Sequence, residues 1–81
     1  MKDDEKVFFK VCYMFRLSGI FSVRDIVNIF EGVIHHKRCW YLLEKWCGLG
    51  FYNYGVTLDL GWFESIDSMP ERYKALLREM V

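Results

Sequence analysis

The sequence lacks most features that would place it in a specialised class: it has no net charge, an odd number of cysteines, one proline and no long apolar run. Because the three cysteines include no CxxC pair, we do not expect a disulfide framework. The opening residues, MKDDEKVFFK, mix both charges with apolar side chains, which predicts neither a signal peptide nor a membrane span. We therefore expect a soluble, cytoplasmic protein with reduced thiols.

Recognisable catalytic motifs are also missing. We find no Ser/His/Asp set, no phosphate-binding glycine loop, no HExxH sequence and no carboxylate pair in a known motif. His35 and His36 are adjacent, so on a helix they are not expected to face one site. A metal could be held by His35 and Cys39 together with Cys12 or Cys47, but this spacing does not recur in zinc modules. We predict a protein that is not an enzyme and binds no metal or cofactor.

Hydrophobic and aromatic residues, by contrast, are plentiful. The 81 residues are 53% hydrophobic and 27% charged, which predicts one small globular domain over residues 1–81. Aromatics make up 19% of the chain, more than we expect one small core to bury. The simplest core aromatics are Phe8, Phe15, Phe30, Trp46 and Trp62. Some of the others should be exposed and mark a partner interface: Tyr13, Trp40, Tyr41, Tyr52, Tyr54 and Phe63.

Three helices are predicted in the first half of the chain. The first spans Asp3 to Leu17, with its apolar face formed by Val7, Phe8, Val11, Cys12, Met14 and Phe15. The second begins after Ser22, which can form a capping box with Asp25 while Phe21 packs on Ile26, and it ends at Glu31-Gly32. The third runs from about His35 to Cys47 with an apolar face of Cys39, Leu42, Leu43 and Trp46.

A hairpin and a fourth helix are predicted in the second half. Strands at Phe51 to Tyr54 and Val56 to Phe63 would be joined through Gly55, with Val56, Leu58, Leu60 and Trp62 on one face. Ser68 is predicted to cap the last helix, with Pro70 in its first turn and Glu71 completing a capping box. This helix would present Tyr73, Leu76, Leu77 and Met80 on one face.

The order of these elements, with Ile20-Phe21 as a very short strand after the first helix, resembles the winged helix-turn-helix superfamily. The resemblance spans roughly Val7 to Phe63 and is carried by three segments: Phe21–Ile26, Gly32 and Leu43–Leu49. It implies an α+β, mainly α fold with a short β-hairpin wing and a C-terminal helix. In that superfamily the second motif helix, here 35–47, enters the major groove of DNA with its N-terminal residues nearest the bases.

The resemblance also implies which residues contact DNA. By position, bases or phosphates would be contacted by His36, Lys37, Arg38 and Tyr41, and the DNA backbone by Ser22, Arg24 and Lys45. The polar segment 35–38 is otherwise only a solvated helix start, in which His35 is a half-buried packing residue. Residues 1–45 hold eight Lys or Arg against six Asp or Glu, and residues 46–81 hold three against five. No Lys or Arg lies between Lys45 and Arg72, so the hairpin has no basic residue.

Two functions follow from this pattern. The first is a dimeric, DNA-binding transcriptional regulator or mobile-element accessory protein that binds double-stranded DNA. The alternative is a winged-helix protein interaction module that binds no DNA and uses an aromatic interface of Tyr52, Tyr54, Tyr73 and Leu77. Electrostatics should separate the two. A DNA-binding protein is expected to gather its basic side chains on one continuous face: Lys6, Lys10, Arg24, Lys37, Arg38 and Lys45.

Overall fold

The protein is mainly helical with a small antiparallel sheet, as predicted for its fold class. A computed structural model describes residues 1–18, 22–54, 61–64 and 66–80. Within these ranges the helices are α1 (Asp3–Ser18), α2 (Val23–Ile29), α3 (His36–Gly48) and α4 (Glu71–Glu79). The strands are β1 (Tyr52–Tyr54) and β2 (Gly61–Phe63), and a short 3-10 turn, Ile66–Ser68, precedes α4. None of the helices in the described part of the chain is both long and apolar enough to cross a bilayer.

Helix α1 is confirmed, but its buried face differs from the predicted one. The buried residues are Glu5, Phe8, Phe9 and Cys12, which recur at the three- and four-residue spacing of one helix face. Phe9 was absent from the predicted face, whereas Val7 and Met14, which belonged to it, are exposed. The face is rotated because the carboxylate of Glu5 is buried as well, through hydrogen bonds to α3 and α4.

Helices α2 and α3 form as the local sequence predicts. The amide of Asp25 donates to Ser22 Oγ at 3.2 Å and the amide of Ser22 donates to Asp25 Oδ2 at 3.4 Å, which completes the capping box. The chain leaves α2 through Gly32, whose φ of 81° favours glycine. Helix α3 then buries its four predicted apolar residues, Cys39, Leu42, Leu43 and Trp46. The predicted strand at Ile20-Phe21 and the contact of Phe21 with Ile26 lie outside the described residues.

The two strands pair antiparallel, which confirms the ends of the predicted hairpin. Tyr52 lies opposite Phe63, Asn53 opposite Trp62 and Tyr54 opposite Gly61. Trp62 was predicted to be core, but its side chain is 41% exposed while Phe63 is buried. Successive side chains of a strand alternate between faces, and the inner face here belongs to Phe63, whose ring lies 4.9 Å from that of Tyr52. The predicted turn at Gly55 and the predicted inward residues Val56, Leu58 and Leu60 lie outside the described residues.

Helix α4 begins later than predicted. Ser68 belongs to the 3-10 turn and does not cap the helix, since the N-cap position is occupied by Pro70 and no side chain caps it. The proline fixes φ at −56° and its carbonyl accepts from the amides of Tyr73 and Lys74, so the backbone itself sets the helix start. Tyr73 and Leu76 are buried as predicted, and Leu77 and Met80 are half-buried.

An aromatic cluster joins the elements into one core. Phe9 of α1 lies edge-on to Trp46 of α3 at 5.4 Å and to Phe63 of β2 at 5.6 Å. Phe51 and Tyr73 bring the segment before β1 and helix α4 into the same cluster, with their rings 4.7 Å apart. Among the aromatics from which exposed ones were expected, Tyr52 and Phe63 are buried, Tyr41 is exposed, and the others are half-buried: Tyr13, Trp40 and Tyr54. Because the core lies against one side of α2 and α3, the opposite side of both helices faces solvent.

Candidate nucleic-acid interface

The exposed side of the helix pair carries a continuous depression. Two adjoining clefts of about 300 Å³ and 490 Å³ share Val27, Asn28 and His36 among their lining residues. We call the whole depression the α2–α3 groove. Its lining comprises Arg24, Val27, Asn28, Glu31, Gly32, Ile34, His35, His36 and Trp40. Helix α2 and the turn after it form one wall, and the start of α3 forms the other.

Helical spacing orders the polar side chains of the α2 wall. Arg24 and Asn28 are four residues apart in α2, so they lie on one helix face, and Glu31 follows in the turn after the helix. Arg24 lines only the larger cleft, Glu31 lines only the smaller cleft, and Asn28 lines both. The groove thus has a cationic end at Arg24, an amide in the middle and a carboxylate at the other end.

Aromatic rings form the α3 side of the groove. Trp40 is half-buried, and its indole meets the ring of Tyr54 at 6.3 Å with an interplanar angle of 69°. This edge-to-face contact holds the indole in place against β1. Tyr41, one residue on, is 56% exposed, and the guanidinium of Arg38 lies 5.3 Å from the centre of its ring. The half-buried ring of Trp40 therefore lies beside the polar side chains of the groove, whereas Tyr41 is exposed and does not belong to the lining.

The two histidines do not behave as predicted. His35 is the N-cap of α3, where its Nδ1 accepts from the amide of Lys37 at 3.2 Å. It is exposed rather than a half-buried packing residue. The rings of His35 and His36 stack with their centres 4.3 Å apart, and both line the smaller cleft. They can share one site because His35 precedes the helix and does not follow its rotation.

Arg38 and Lys45, both predicted to contact DNA, are engaged by α1 instead. Arg38 donates from Nε to Asp4 Oδ2 at 2.9 Å and from Nη2 to Oδ1 at 3.2 Å, a bidentate ion pair. The hydrogen bond from Arg38 lowers the pKa of Asp4 and raises that of the guanidinium. Lys45 donates to Glu5 Oε1 at 2.9 Å, and this bond raises the pKa of the amine. Both cations are thus partly neutralised within the fold.

Glu5 is the centre of a buried polar network that the sequence did not reveal. It is 1% exposed, and its Oε2 accepts from Trp46 Nε1 at 3.0 Å and from the Tyr73 hydroxyl at 2.6 Å. Burial alone would raise the pKa of Glu5, but the hydrogen bonds from Tyr73, Lys45 and Trp46 outweigh it and lower the pKa from its ordinary 4.5. The Tyr73 pKa is raised by burial and by the same bond. The one available signal was Glu5 at helical spacing before Phe8 and Phe9.

The predicted aromatic partner interface is largely internal. Tyr52 and Tyr73 are buried, whereas Tyr54 and Leu77 are half-buried. The burial of the first two follows from strand register for Tyr52 and from the bond to Glu5 for Tyr73. The described hairpin instead exposes Trp62, whose indole donates to Glu64 Oε1 at 3.1 Å.

The basic residues do not form the single face expected of a DNA-binding protein. Lys10 pairs with Glu79 of α4 at 2.7 Å, while Arg38 and Lys45 pair with α1. Arg24 lines the groove and Lys37 follows His36, and both are exposed. Within the ranges that the structure describes, neither of these two makes an ion pair. Lys6, also expected on that face, is exposed on α1, and like Lys2, Arg72 and Lys74 it makes no ion pair among the described residues. Unpaired positive charge therefore lies beside the α2–α3 groove and also elsewhere on the described surface.

The cysteines are free thiols. Cys12 and Cys39 are buried and Cys47 is half-buried, and burial raises the pKa of all three. Raised thiol pKa values disfavour the thiolate that metals and electrophiles require. Among the described residues, no three His, Cys, Asp or Glu side chains are grouped so that they could hold a metal ion.

No protein-family model, curated protein or solved structure matches this chain. Function must accordingly be inferred from the chemistry of the α2–α3 groove and the helix start beside it.

Proposed function

We propose that this chain is a winged-helix-type regulator that binds duplex DNA through the exposed side of α2 and α3. The observation that carries the proposal is that some basic side chains are held in ion pairs and others are not. Arg24 and Lys37 lie exposed on this side without an ion pair among the described residues, whereas Lys10, Arg38 and Lys45 are paired with carboxylates. The other unpaired basic residues of the described chain, Lys2, Lys6, Arg72 and Lys74, are not part of the groove lining. Unpaired cations are the groups that can displace counterions from phosphates.

In this proposal the N-terminal turn of α3 lies in the major groove. Lys37 and Tyr41 face the base edges, and Arg24 contacts a phosphate beside the start of α2. Ser22 is half-buried at the cap of α2 and contacts the backbone there. Arg38 and Lys45 hold α3 against α1 and contribute little to binding, because each would first have to leave its carboxylate.

The small number of free cations sets the expected strength of binding. Two phosphate contacts give a salt dependence of about −2 in log K against log salt, which is modest for a DNA-binding domain. A dimer that places two such faces on adjacent half-sites would raise the affinity without new contacts per copy. We therefore expect the regulator, whether of transcription or of a mobile element, to act as a homodimer.

The test is fluorescence anisotropy of a labelled mixed-sequence duplex of about three helical turns, titrated with protein at several salt concentrations. The double variant Arg24→Ala/Lys37→Ala should lose most of the binding and most of the salt dependence. Lys6→Ala/Lys74→Ala removes the same charge at residues of α1 and α4 without an ion pair among the described residues; neither helix lines the groove, so this variant should bind as wild type does. Equal weakening of binding by both double variants would mean that DNA responds to the net charge of the protein and not to this surface. Absence of wild-type binding at low salt would reject the proposal.

A second candidate function is favoured by exposed apolar side chains at the end of α2. Ile29 is 51% exposed and Val33 is 76% exposed, and exposed neighbouring apolar residues often mark protein contacts. In this alternative the domain binds another protein and no DNA. If the partner is a second copy of the chain, this candidate predicts self-association in sedimentation that Val33→Asp abolishes. It also predicts that the protein binds no DNA duplex. Monomeric wild type at high concentration would count against the homomeric form of this candidate.

A further inference from the structure

We propose that the α2–α3 groove binds one nucleotide unit, a flat base with its phosphate, so that the domain prefers DNA containing an unpaired nucleotide. This inference rests on the proposed function and names the element of nucleic acid that the site selects. The carrying observation is a concave, polar and aromatic site directly beside the free cations. A helix that lies in the major groove uses its convex face, so the concavity next to it is left open to a separate ligand.

The size of the groove suits such an occupant. Its two clefts, of about 300 Å³ and 490 Å³, fall within the range of small-molecule sites. They are continuous through Val27, Asn28 and His36. A single elongated ligand can therefore contact both ends of the groove at once.

The side chains along the α2 wall of the groove change from a cation at one end to a carboxylate at the other. Arg24 at one end is suited to a phosphate, and Glu31 at the other accepts hydrogen bonds from an amino group such as that of cytosine. Asn28, exposed between them, offers a donor and an acceptor that match a base edge. A ligand with two anionic ends would be repelled by the carboxylate of Glu31. A wholly apolar ligand would remove water from Arg24 and Glu31 without pairing either charge. A nucleotide with an amino-bearing base satisfies all three positions.

The opposite wall offers rings against which a base can stack. Trp40 lines the larger cleft and is held by Tyr54, and the stacked His35 and His36 line the smaller one. Every base has a flat π face, so aromatic side chains bind unstacked bases with little regard to sequence. Inside a paired duplex that face is covered, which is why the groove should favour a base that is already unpaired.

The experiment compares three labelled DNAs of one sequence: a fully paired duplex, the same duplex with one unpaired adenosine, and the single strand. We expect the duplex with the unpaired adenosine to bind about tenfold more tightly than the paired duplex. Asn28→Ala and Trp40→Ala should remove this difference and leave the affinity for paired duplex unchanged. Because Trp40 is half-buried, Asn28→Ala, at an exposed position, keeps the test valid if the tryptophan variant is unstable.

Matched controls come from the hairpin. Asn53→Ala and Trp62→Ala change the same residue types at exposed positions outside the groove lining, and both should keep the tenfold preference. Equal binding of paired and unpaired duplexes by wild type would overturn this inference and leave the proposed function intact. So would a preference that survives in Asn28→Ala.

A separate titration with deoxyadenosine monophosphate, followed by amide chemical shifts, distinguishes a nucleotide in a strand from a free one. If the mononucleotide shifts Asn28 and His36 while no DNA binds, the groove accepts nucleotide chemistry but the proposed function fails. If neither the mononucleotide nor any DNA has an effect, both proposals are overturned. Shifts confined to residues outside the groove would also overturn the assignment of the site.

Discussion

Helix α3 has two unlike flanks. On one, Arg38 and Lys45 pair with Asp4 and Glu5 of α1. On the other, His36 and Trp40 line the open groove against α2. The two flanks differ in their neighbours: the first faces the acidic start of α1, and the second faces a helix whose only acidic residue, Asp25, is occupied in the capping box. A basic helix start is therefore not one surface, because Arg38 is paired with Asp4 whereas its neighbour Lys37 makes no ion pair among the described residues.

The largest expected effect is on the paired flank, at Glu5. Glu5→Ala leaves the Trp46 indole and the Tyr73 hydroxyl without their acceptor and Lys45 without its counterion. Removing one member of a buried network costs about 3 kcal/mol of unfolding free energy. Urea unfolding measures the loss. Glu79→Ala, at an exposed pair with Lys10, is the matched control and should cost much less, because exposed ion pairs contribute little to stability; similar losses in the two variants would contradict the buried network.

Acid should weaken the same flank. Below the ordinary Glu5 pKa of 4.5 the unfolded chain takes up a proton that the folded carboxylate, with its lowered pKa, does not. Stability is therefore full above this pH and falls as the pH drops through the folded pKa. Urea unfolding from pH 7 to pH 3 should show a decline that is shallower in Glu5→Gln, which cannot ionise. An identical pH dependence in wild type and Glu5→Gln would show that other carboxyl groups are responsible.

A smaller effect separates the two neighbouring cations. Arg38→Ala breaks a half-exposed bidentate pair with Asp4 and should lower the unfolding free energy by about 1 kcal/mol. Lys37→Ala changes an exposed residue without an ion pair in the described part of the chain and should stay within about 0.5 kcal/mol of wild type. Thermal unfolding compares the two variants directly. Equal stabilities would remove the distinction between the flanks.

What the sequence predicts here depends on how local each feature is. The capping box of Ser22 and Asp25 and the buried stripe of α3 require only neighbouring residues, and both were predicted. The Glu5 network joins residues 40, 41 and 68 positions apart, and no local pattern encodes such pairs. The exposure of Trp62 was missed because the described strand is three residues long, and in so short a strand tertiary packing decides which face turns inward.

The candidate site was predicted in part for the same reason. Arg24, His36 and Lys37 were identified from their positions in the motif, and they do lie at or beside the groove. Asn28, Glu31 and Trp40 were not assigned to a site, because a groove between two helices exists only once they are packed. The engagement of Arg38 and Lys45 by α1 likewise depends on tertiary structure.

The most direct test of the two-flank account measures duplex DNA binding by Lys37→Ala and Arg38→Ala across a salt series. The two variants lose one positive charge each at adjacent positions, and they differ in that only Arg38 is held in an ion pair, with Asp4. The account predicts that Lys37→Ala reduces the magnitude of the salt slope by about 1, whereas Arg38→Ala leaves the slope at the wild-type value. The opposite result, with the loss in Arg38→Ala, would show that the ion pair with Asp4 opens on binding and would contradict the account.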